Sequence, residues 1–313
     1  MRGRSIDASI RARAATNGGR RARECDAASF SGFQSPRALD RRRRARTSAR
    51  AMGAYERASA REGTTMTGAP KLEFVREMFD RVAETYDVVN GWLAFGFVDA
   101  WRARALESGY RAVLNALPNG RRVLTRGARV LDVGCGTGNV TEAVMYSTLA
   151  HLAVDVAGVD CSPGMIREAR RKMPNNSFEV MDAAKLNEAF EEGSFDVAVT
   201  CYTLRNFPDF ETALENMVRV VKPGGTIAIV DAFPPRGAFG WLLRAWLRVM
   251  LPLIGATLNG ERKAYEYLGR SIEAARTPEE VVAELEMLGC EAVEASRMFP
   301  FGAAAVVVGR KPE

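Results

Sequence analysis

The sequence predicts an α/β fold built on a doubly wound, mostly parallel sheet. Beyond Pro118, β-type and helical patterns alternate regularly along the chain. At Val130–Val140 the chain reads VLDVGCGTGNV: a buried-strand run enters Gly134, Gly136 and Gly138 at alternate positions. Alternate glycines mark a turn where the backbone comes close to something and no Cβ is tolerated. A helix follows from Asn139 or Val140, with Glu142 in its first turn. Strand, glycine loop and helix N-terminus together make a nucleotide-type pocket.

The chain has 313 residues, 47% hydrophobic and 26% charged, enough for a sizeable core. One domain of roughly 230 residues plus a tail suits that length. Five cysteines lie scattered without a CxxC pair, which reads as reduced intracellular thiols and no zinc site. A single histidine, His151, removes metal sites built on imidazole and most general-base mechanisms that need one, and it reads as structural.

The net charge of +6 is unevenly placed. Residues 1–65 hold sixteen arginines, no lysine and six acids, leaving the remainder slightly acidic. Residues 1–67, rich in Arg, Ala and Ser, have the composition of an organelle transit peptide. A basic arm touching RNA or lipid is the alternative, but no interleaved aromatics support a nucleic-acid partner. The folded body is expected over 68–313, and oligomeric state stays open.

From Lys71 the residues Leu72, Val75, Met78, Phe79, Val82 and Tyr86 have helical spacing and predict an amphipathic cover helix. Strands are expected at Arg129–Val133, Val154–Asp160, Phe178–Asp182, Phe195–Cys201, Thr226–Asp231, Ala292–Arg297 and Ala303–Gly309. Helices are expected at Asn139–Ala150, Gly164–Met173, Phe210–Val221 and Pro278–Leu288. The last has Thr277 as N-cap, Pro278 at its first position and Gly289 just past its end. No run spans a bilayer. Phe239–Leu258 carries Trp241, Trp246, Arg244 and Arg248, with Pro252 expected to end the helix. It reads as an interfacial helix or a lid over an apolar site, part of an insert at about 236–270. A core helix with snorkelling arginines is the alternative.

The loop spacing is tighter than the G-x-G-x-x-G that accommodates a pyrophosphate. Asp132, two residues before it, suits a positively charged ligand better than a phosphate. Asp160, ending the next strand, can accept both hydroxyls of a ribose. Met165 offers a packing surface for adenine, and Asp182-Ala183 a reader of its amino group. These features, with Lys222-Pro223-Gly224-Gly225 before a later strand, resemble the motifs of class I S-adenosyl-L-methionine methyltransferases. The resemblance implies a Rossmann-like seven-stranded sheet with one antiparallel strand near its edge, and S-adenosyl-L-methionine as cofactor. Tyr86, Thr137, Cys161 and Cys201 join its implied cofactor contacts, Tyr86 closing over the methionine end.

Arg205 and Asn206 follow a buried strand end, where polar groups enter a site facing the cofactor. An arginine satisfied by a carboxylate, with Asn206 capping the next helix, is the alternative. YDVVN at Tyr86–Asn90, Phe95-Gly96, Trp101-Arg102, LRN at Leu204–Asn206, RVVKPGG at Arg219–Gly225 and YEYLGRSI at Tyr265–Ile272 resemble the ubiquinone/menaquinone biosynthesis C-methyltransferase family. Chloroplast members acting on demethylphylloquinone look most similar; a mitochondrial, benzoquinol-methylating member is the alternative. Departures fall at Val98-Asp99 (usually His-Arg), Tyr202-Thr203 (Phe-Gly) and Asp231-Ala232-Phe233 (a strand ending Glu-x-Ser). The resemblance implies C-methylation of a prenylated quinol without a metal. Arg205 would stabilise the quinolate or order a water, Asn206 or Tyr202 would position the ring, and Trp241–Leu258 would meet the membrane and the prenyl tail.

Overall fold

Strand β1 (Arg129–Val133) lies at the middle of a seven-stranded sheet, buried at four of its five positions. The computed structural model describes residues 59–87, 126–146, 154–234, 240–258, 260–297 and 304–313. Expectations for residues 1–58, for the stretch from Val88 through Arg102, for His151 and for the end of the Asn139–Ala150 helix lie outside them.

On one side β1 pairs in parallel with β2 (Asp155–Asp160), which pairs with β3 (Ser177–Val180). On the other it pairs with β4 (Phe195–Cys201), which pairs with β5 (Val221–Ala232). The far edge holds β6 (Glu291–Arg297) and β7 (Ala304–Arg310), in the order β3-β2-β1-β4-β5-β7-β6. Strand β7 runs antiparallel to both neighbours, β5 and β6. The chain therefore reverses winding direction between β1 and β4. In sheets of this kind a ligand binds at that point, outside the carboxyl ends of the strands.

Helices α3 (Asn139–Tyr146), α4 (Pro163–Lys172), the short α5 (Leu186–Ala189), α6 (Phe210–Val220) and α9 (Pro278–Met287) flank the sheet, and α4, α5, α6 and α9 bury apolar side chains. Thr277 and Glu280 close a capping box on α9 behind Pro278, as its sequence predicts. One strand boundary moves. The expected turn at Lys222-Pro223-Gly224-Gly225 is a bulge inside β5, where pairing jumps from Phe195–Val221 to Val197–Thr226. Pro223 has no N–H for the ladder, and Gly224 takes φ +72°.

The body also starts earlier than composition implies. Helix α1 (Ala60–Thr65) lies within the stretch expected to be tail, closed by a Ser59–Glu62 capping box. Its Gly63 touches Phe74 so closely that a Cβ there would lie 2.5 Å from the ring. Arg, Ala and Ser are good helix and cap residues as well as tail residues, so composition alone misplaced this boundary. Helix α2 (Gly68–Val82) begins three residues before Lys71, because Pro70 is tolerated in a first turn.

A second core joins α2, Met165 of α4, α7 (Gly240–Leu258) and α8 (Arg262–Ala274), with Phe74, Met78, Leu251 and Tyr267 at its centre. Pro252 does not end α7, which continues to Leu258. Both halves are held against α8: Leu247 and Leu251 are buried before and beside the proline, and Gly255 lies directly on Tyr265. Packing across the helix pair thus overrides the lost hydrogen bond of one proline. The opposite face of α7 carries exposed Trp241, Leu242, Val249 and Leu253.

Candidate functional site

Strand β1 ends in a loop whose three glycines all take left-handed backbone conformations, with φ of +73°, +54° and +83° at Gly134, Gly136 and Gly138. Their surroundings differ. A Cβ on Gly134 would lie 2.3 Å from Cγ2 of Thr203, and one on Gly138 would lie 2.5 Å from Cε of Met173. A Cβ on Gly136 would meet nothing within 4 Å. Two glycines therefore serve packing, and the middle one faces open space. Thr203 also donates from Oγ1 to the Gly134 carbonyl at 3.0 Å, which ties the loop after β4 to the loop after β1.

Asp160, at the end of β2, accepts from Gly136 N–H through Oδ2 (2.9 Å) and from Ser162 N–H through Oδ1 (2.8 Å). Both oxygens thus bind backbone, and each keeps a second lone pair for a ligand hydroxyl. Burial raises its pKa to about 6 against those two bonds, with Asp80 adding repulsion. Asp132 is fully buried; its Oδ2 accepts from Thr141 Oγ1 at 2.8 Å, while Oδ1 has no partner. Burial raises Asp132 to about 7, opposed by Thr141 and reinforced by Asp160. The expected carboxylate in the open pocket is thus half-engaged in the core. A buried acceptor left unpaired costs about 1–3 kcal/mol, and a cationic or donating ligand group would relieve it.

The other expected cofactor contacts divide. Asp182 caps a 3-10 turn at Ala183–Lys185 by accepting from Ala184 N–H at 3.1 Å, with Ala183 buried. Cys161 and Cys201 are half-buried, and burial pushes both thiols well above their usual pKa. Met165 is not an open surface for adenine. It is 1% exposed and belongs to the helical core, because the turn of α4 that bears it packs under α2. Asp80 of α2 makes that contact by accepting from Ser162 Oγ (2.6 Å) and Gly164 N–H (2.7 Å). Tyr86 is half-buried, edge-on to Phe79. Thr137 turns its hydroxyl to Asp87, at 3.0 Å from Oδ1.

At the end of β4, Tyr202 takes φ +58°, a strained value for a side chain of its size. Its N–H donates to Val230 O (2.7 Å), and its carbonyl accepts from Arg205 Nη1 (2.8 Å). Arg205 is not free. It forms a buried ion pair with Asp231, at the end of β5, and donates from Nε to Ser271 Oγ at 3.3 Å. Burial still raises the pKa of Asp231, although Arg205 lowers it. Asn206 accepts from Tyr267 OH through Oδ1 at 3.1 Å and does not cap the next helix; Asp209 caps α6. Lys71 Nζ donates to the Arg205 carbonyl at 3.2 Å, and burial lowers its pKa, with Arg276 adding. Lys71, Arg205, Asp231, Tyr267, Ser271 and Arg276 help to line a cavity of about 180 Å³.

Sequence reasoning missed Asp80, Asp87, Thr203, Asp231, Tyr267 and Ser271 as parts of this site. Asp231 was detectable: an acid closing an otherwise apolar strand needs a cation nearby. Among the described residues, no group of three or more His, Cys, Asp or Glu side chains could hold a metal ion.

The open face of Gly136, the spare lone pairs of Asp160 and the unpartnered oxygen of Asp132 fit a ligand with ribose hydroxyls and a positive charge. That is the chemistry of an S-adenosyl-L-methionine-dependent methyltransferase, and the strand order agrees. Comparison narrows the class: the chain belongs to the ubiE/COQ5 methyltransferase family, whose model matches residues 66–311. It is 35% identical over 238 residues to the demethylmenaquinone methyltransferase of Thermus thermophilus, covering 75% of this chain and 100% of that one. It is 30% identical to the ubiquinone/menaquinone biosynthesis C-methyltransferase UbiE of Campylobacter jejuni, covering 77% of this chain and 99% of that one. A methyltransferase structure from Thermotoga maritima, titled a possible histamine N-methyltransferase, shares the fold with a TM-score of 0.50 at 21% identity, covering 76% and 99% of the two chains.

Two outcomes follow from this geometry. Gly134→Ala should abolish cofactor binding and destabilise the fold by roughly 1–3 kcal/mol, through overpacking on Thr203 plus left-handed strain. Adding Thr203→Gly should recover only the packing part, read by denaturant unfolding; full recovery would deny the strain. Asp132 and Asp160 have folded pKa values of about 7 and about 6, above the roughly 4 of an unfolded carboxyl. Both therefore favour the folded state at low pH and lose that contribution as pH rises from about 4 through 7. Without ligand, unfolding midpoints should fall across that window. S-adenosyl-L-methionine affinity, measured by calorimetry, should rise across it as Asp132 ionises, and a flat profile would refute the assignment.

Proposed function

We propose that the enzyme C-methylates the ring of a prenylated quinol, with a demethylnaphthoquinol of the demethylphylloquinol or demethylmenaquinol type as acceptor. In phylloquinone biosynthesis this would be the last methylation step. The observation that carries the reading is the braced LRN turn at the end of β4. There Arg205 is fixed by Asp231, Tyr202 and Ser271, and Asn206 by Tyr267. Two family segments distant in sequence, LRN and YEYLGRSI, thus build one polar wall. The relatives' names point to the same acceptor class.

The cofactor supplies an electrophilic methyl group on a sulfonium. A quinol ring carbon becomes nucleophilic when its neighbouring hydroxyl ionises, so alignment and charge stabilisation matter more than a strong base. The Arg205 guanidinium offers donors and no acceptor. Its Nη1 and Nε are engaged, which leaves Nη2 to donate to the developing quinolate oxygen or to a water that receives the ring proton. The pairing with Asp231 fixes that donor's direction at the cost of net charge. Asn206, held through Oδ1, presents Nδ2 as a second donor. Tyr202 would bound the ring, its placement fixed by a strained backbone.

The acceptor would arrive through a membrane surface. Trp241, Leu242, Val249 and Leu253 form an exposed apolar stripe on α7, with Arg248 beside it paired to Glu273. No described helix is long and apolar enough to cross a membrane, so this stripe would lie in the interface. The Arg-rich N-terminal stretch would deliver the enzyme to chloroplasts. The alternative is a mitochondrial enzyme acting on a prenylated benzoquinol, and imaging of residues 1–67 fused to a reporter separates the two.

Purified enzyme with labelled cofactor and a panel of reduced acceptors should methylate demethylnaphthoquinols in preference to benzoquinols, as read by product mass. Arg205→Ala should lower kcat by about 10²-fold or more; full turnover by that variant would remove Arg205 from the chemistry. A Trp241→Ser, Val249→Ser double variant should lose binding to anionic vesicles in co-sedimentation while keeping turnover of a short-chain quinol. Unchanged sedimentation would sink the interfacial role of α7.

A further inference from the structure

We propose that Asp87 is a positioning residue for the cofactor, fastening the end of the N-terminal cover to the glycine loop and so holding that loop in the conformation that binds. The proposal rests on the cofactor reading of the loop and adds a residue from outside the sheet domain.

Asp87 follows α2 and lies 50 positions before Thr137 and 85 before Lys172, yet it joins both. Its Oδ1 accepts from Asn139 Nδ2 at 2.9 Å and from Thr137 Oγ1 at 3.0 Å. Its Oδ2 forms an ion pair with Lys172 Nζ. Lys172 in turn donates to Thr137 Oγ1 at 3.0 Å and to Asn139 Oδ1 at 3.2 Å, which closes a ring of four side chains. Each belongs to a different part of the pocket: Asp87 to the cover, Thr137 to the loop, Asn139 to the start of α3 and Lys172 to the end of α4. Burial would raise the pKa of Asp87, but the bonds from Asn139 and Lys172 outweigh it and hold the carboxyl below its usual range.

Thr137 stands between Gly136 and Gly138, both at positive φ. Holding its hydroxyl therefore fixes the backbone that opens toward the cofactor. A carboxylate at the start of α3 is also favoured by that helix's dipole. Packing does not need this clamp. Asp80, earlier on the same cover, already joins α2 to the start of α4, and Phe74, Val75, Met78 and Val82 bury the helix face. What Asp87 adds is a link to the loop, and it fixes the chain position of Tyr86 beside it.

The test is calorimetric titration of S-adenosyl-L-methionine and S-adenosylhomocysteine into the full chain and its Asp87→Asn and Lys172→Met variants, with denaturant unfolding of each protein without ligand. Charge-assisted hydrogen bonds of this kind are worth about 1.5–3 kcal/mol, so affinity should weaken tenfold or more. At saturating cofactor, kcat should stay within about threefold of the parent, and unfolding midpoints should barely move. The double variant should lose less affinity than the product of the single losses, because both break one ring. Lys172→Arg should restore most of it. Affinity of Asp87→Asn within twofold of the parent would overturn the proposal. So would an affinity loss matched by an equal loss of stability, since that marks a purely structural role. A parent that binds neither ligand would instead refute the cofactor reading itself.

Discussion

Taking a carboxylate out of water costs several kcal/mol unless its charge is answered, and this sheet carries three at the carboxyl ends of β1, β2 and β5. Each is answered differently. Asp231 has a guanidinium, Asp160 has two backbone N–H groups, and Asp132 has one threonine hydroxyl and a vacant oxygen. The sequence of answers runs from a saturated ion pair to an unfinished site. The end of β5 is thus held from within by its own ion pair, and the end of β1 keeps one unpaired acceptor. Asp132 and Asp160 also repel each other, so the glycine loop has a reason to favour a ligand that carries positive charge.

The helical layer is more than cover. Tyr267 and Ser271 of α8 brace Asn206 and Arg205, and Lys71 of α2 donates to the Arg205 carbonyl from the other direction. The LRN turn thus sits between a sheet end and a helix pair, with polar contacts to both. Burial of Tyr267 against Phe74 makes the orientation of the Asn206 amide depend on the second core. Local stability and site geometry are therefore coupled here, which loops on an exposed rim would not show.

Much of this could be read in the chain. Strand alternation and the three glycines gave the sheet and its cleft, because parallel strands are apolar throughout and positive-φ turns demand glycine. Thr277, Pro278 and Gly289 marked α9, since capping chemistry is local. The misreadings share a cause. Pro252 was judged by local propensity, the 59–67 stretch by composition and Met165 by its place after the acid that ends β2, and contacts with residues remote in sequence decided each one. The alternative reading of Arg205, an arginine satisfied by a carboxylate, describes its surroundings correctly. Its partner is 26 residues away on another strand, beyond any spacing rule. Thr203 was visible only as a departure from a family pattern, and its seat on Gly134 could not be read from one dimension.

That seat narrows the routes by which this sequence could change. With Thr203 occupying the space above Gly134, a side chain at 134 has nowhere to go. The pattern from which Tyr202-Thr203 departs has glycine at 203, and only with threonine there does position 134 have to be glycine for reasons of space as well as of backbone angle. The two positions are therefore bound to change together: a side chain can enter at 134 only after the one at 203 has been cut back.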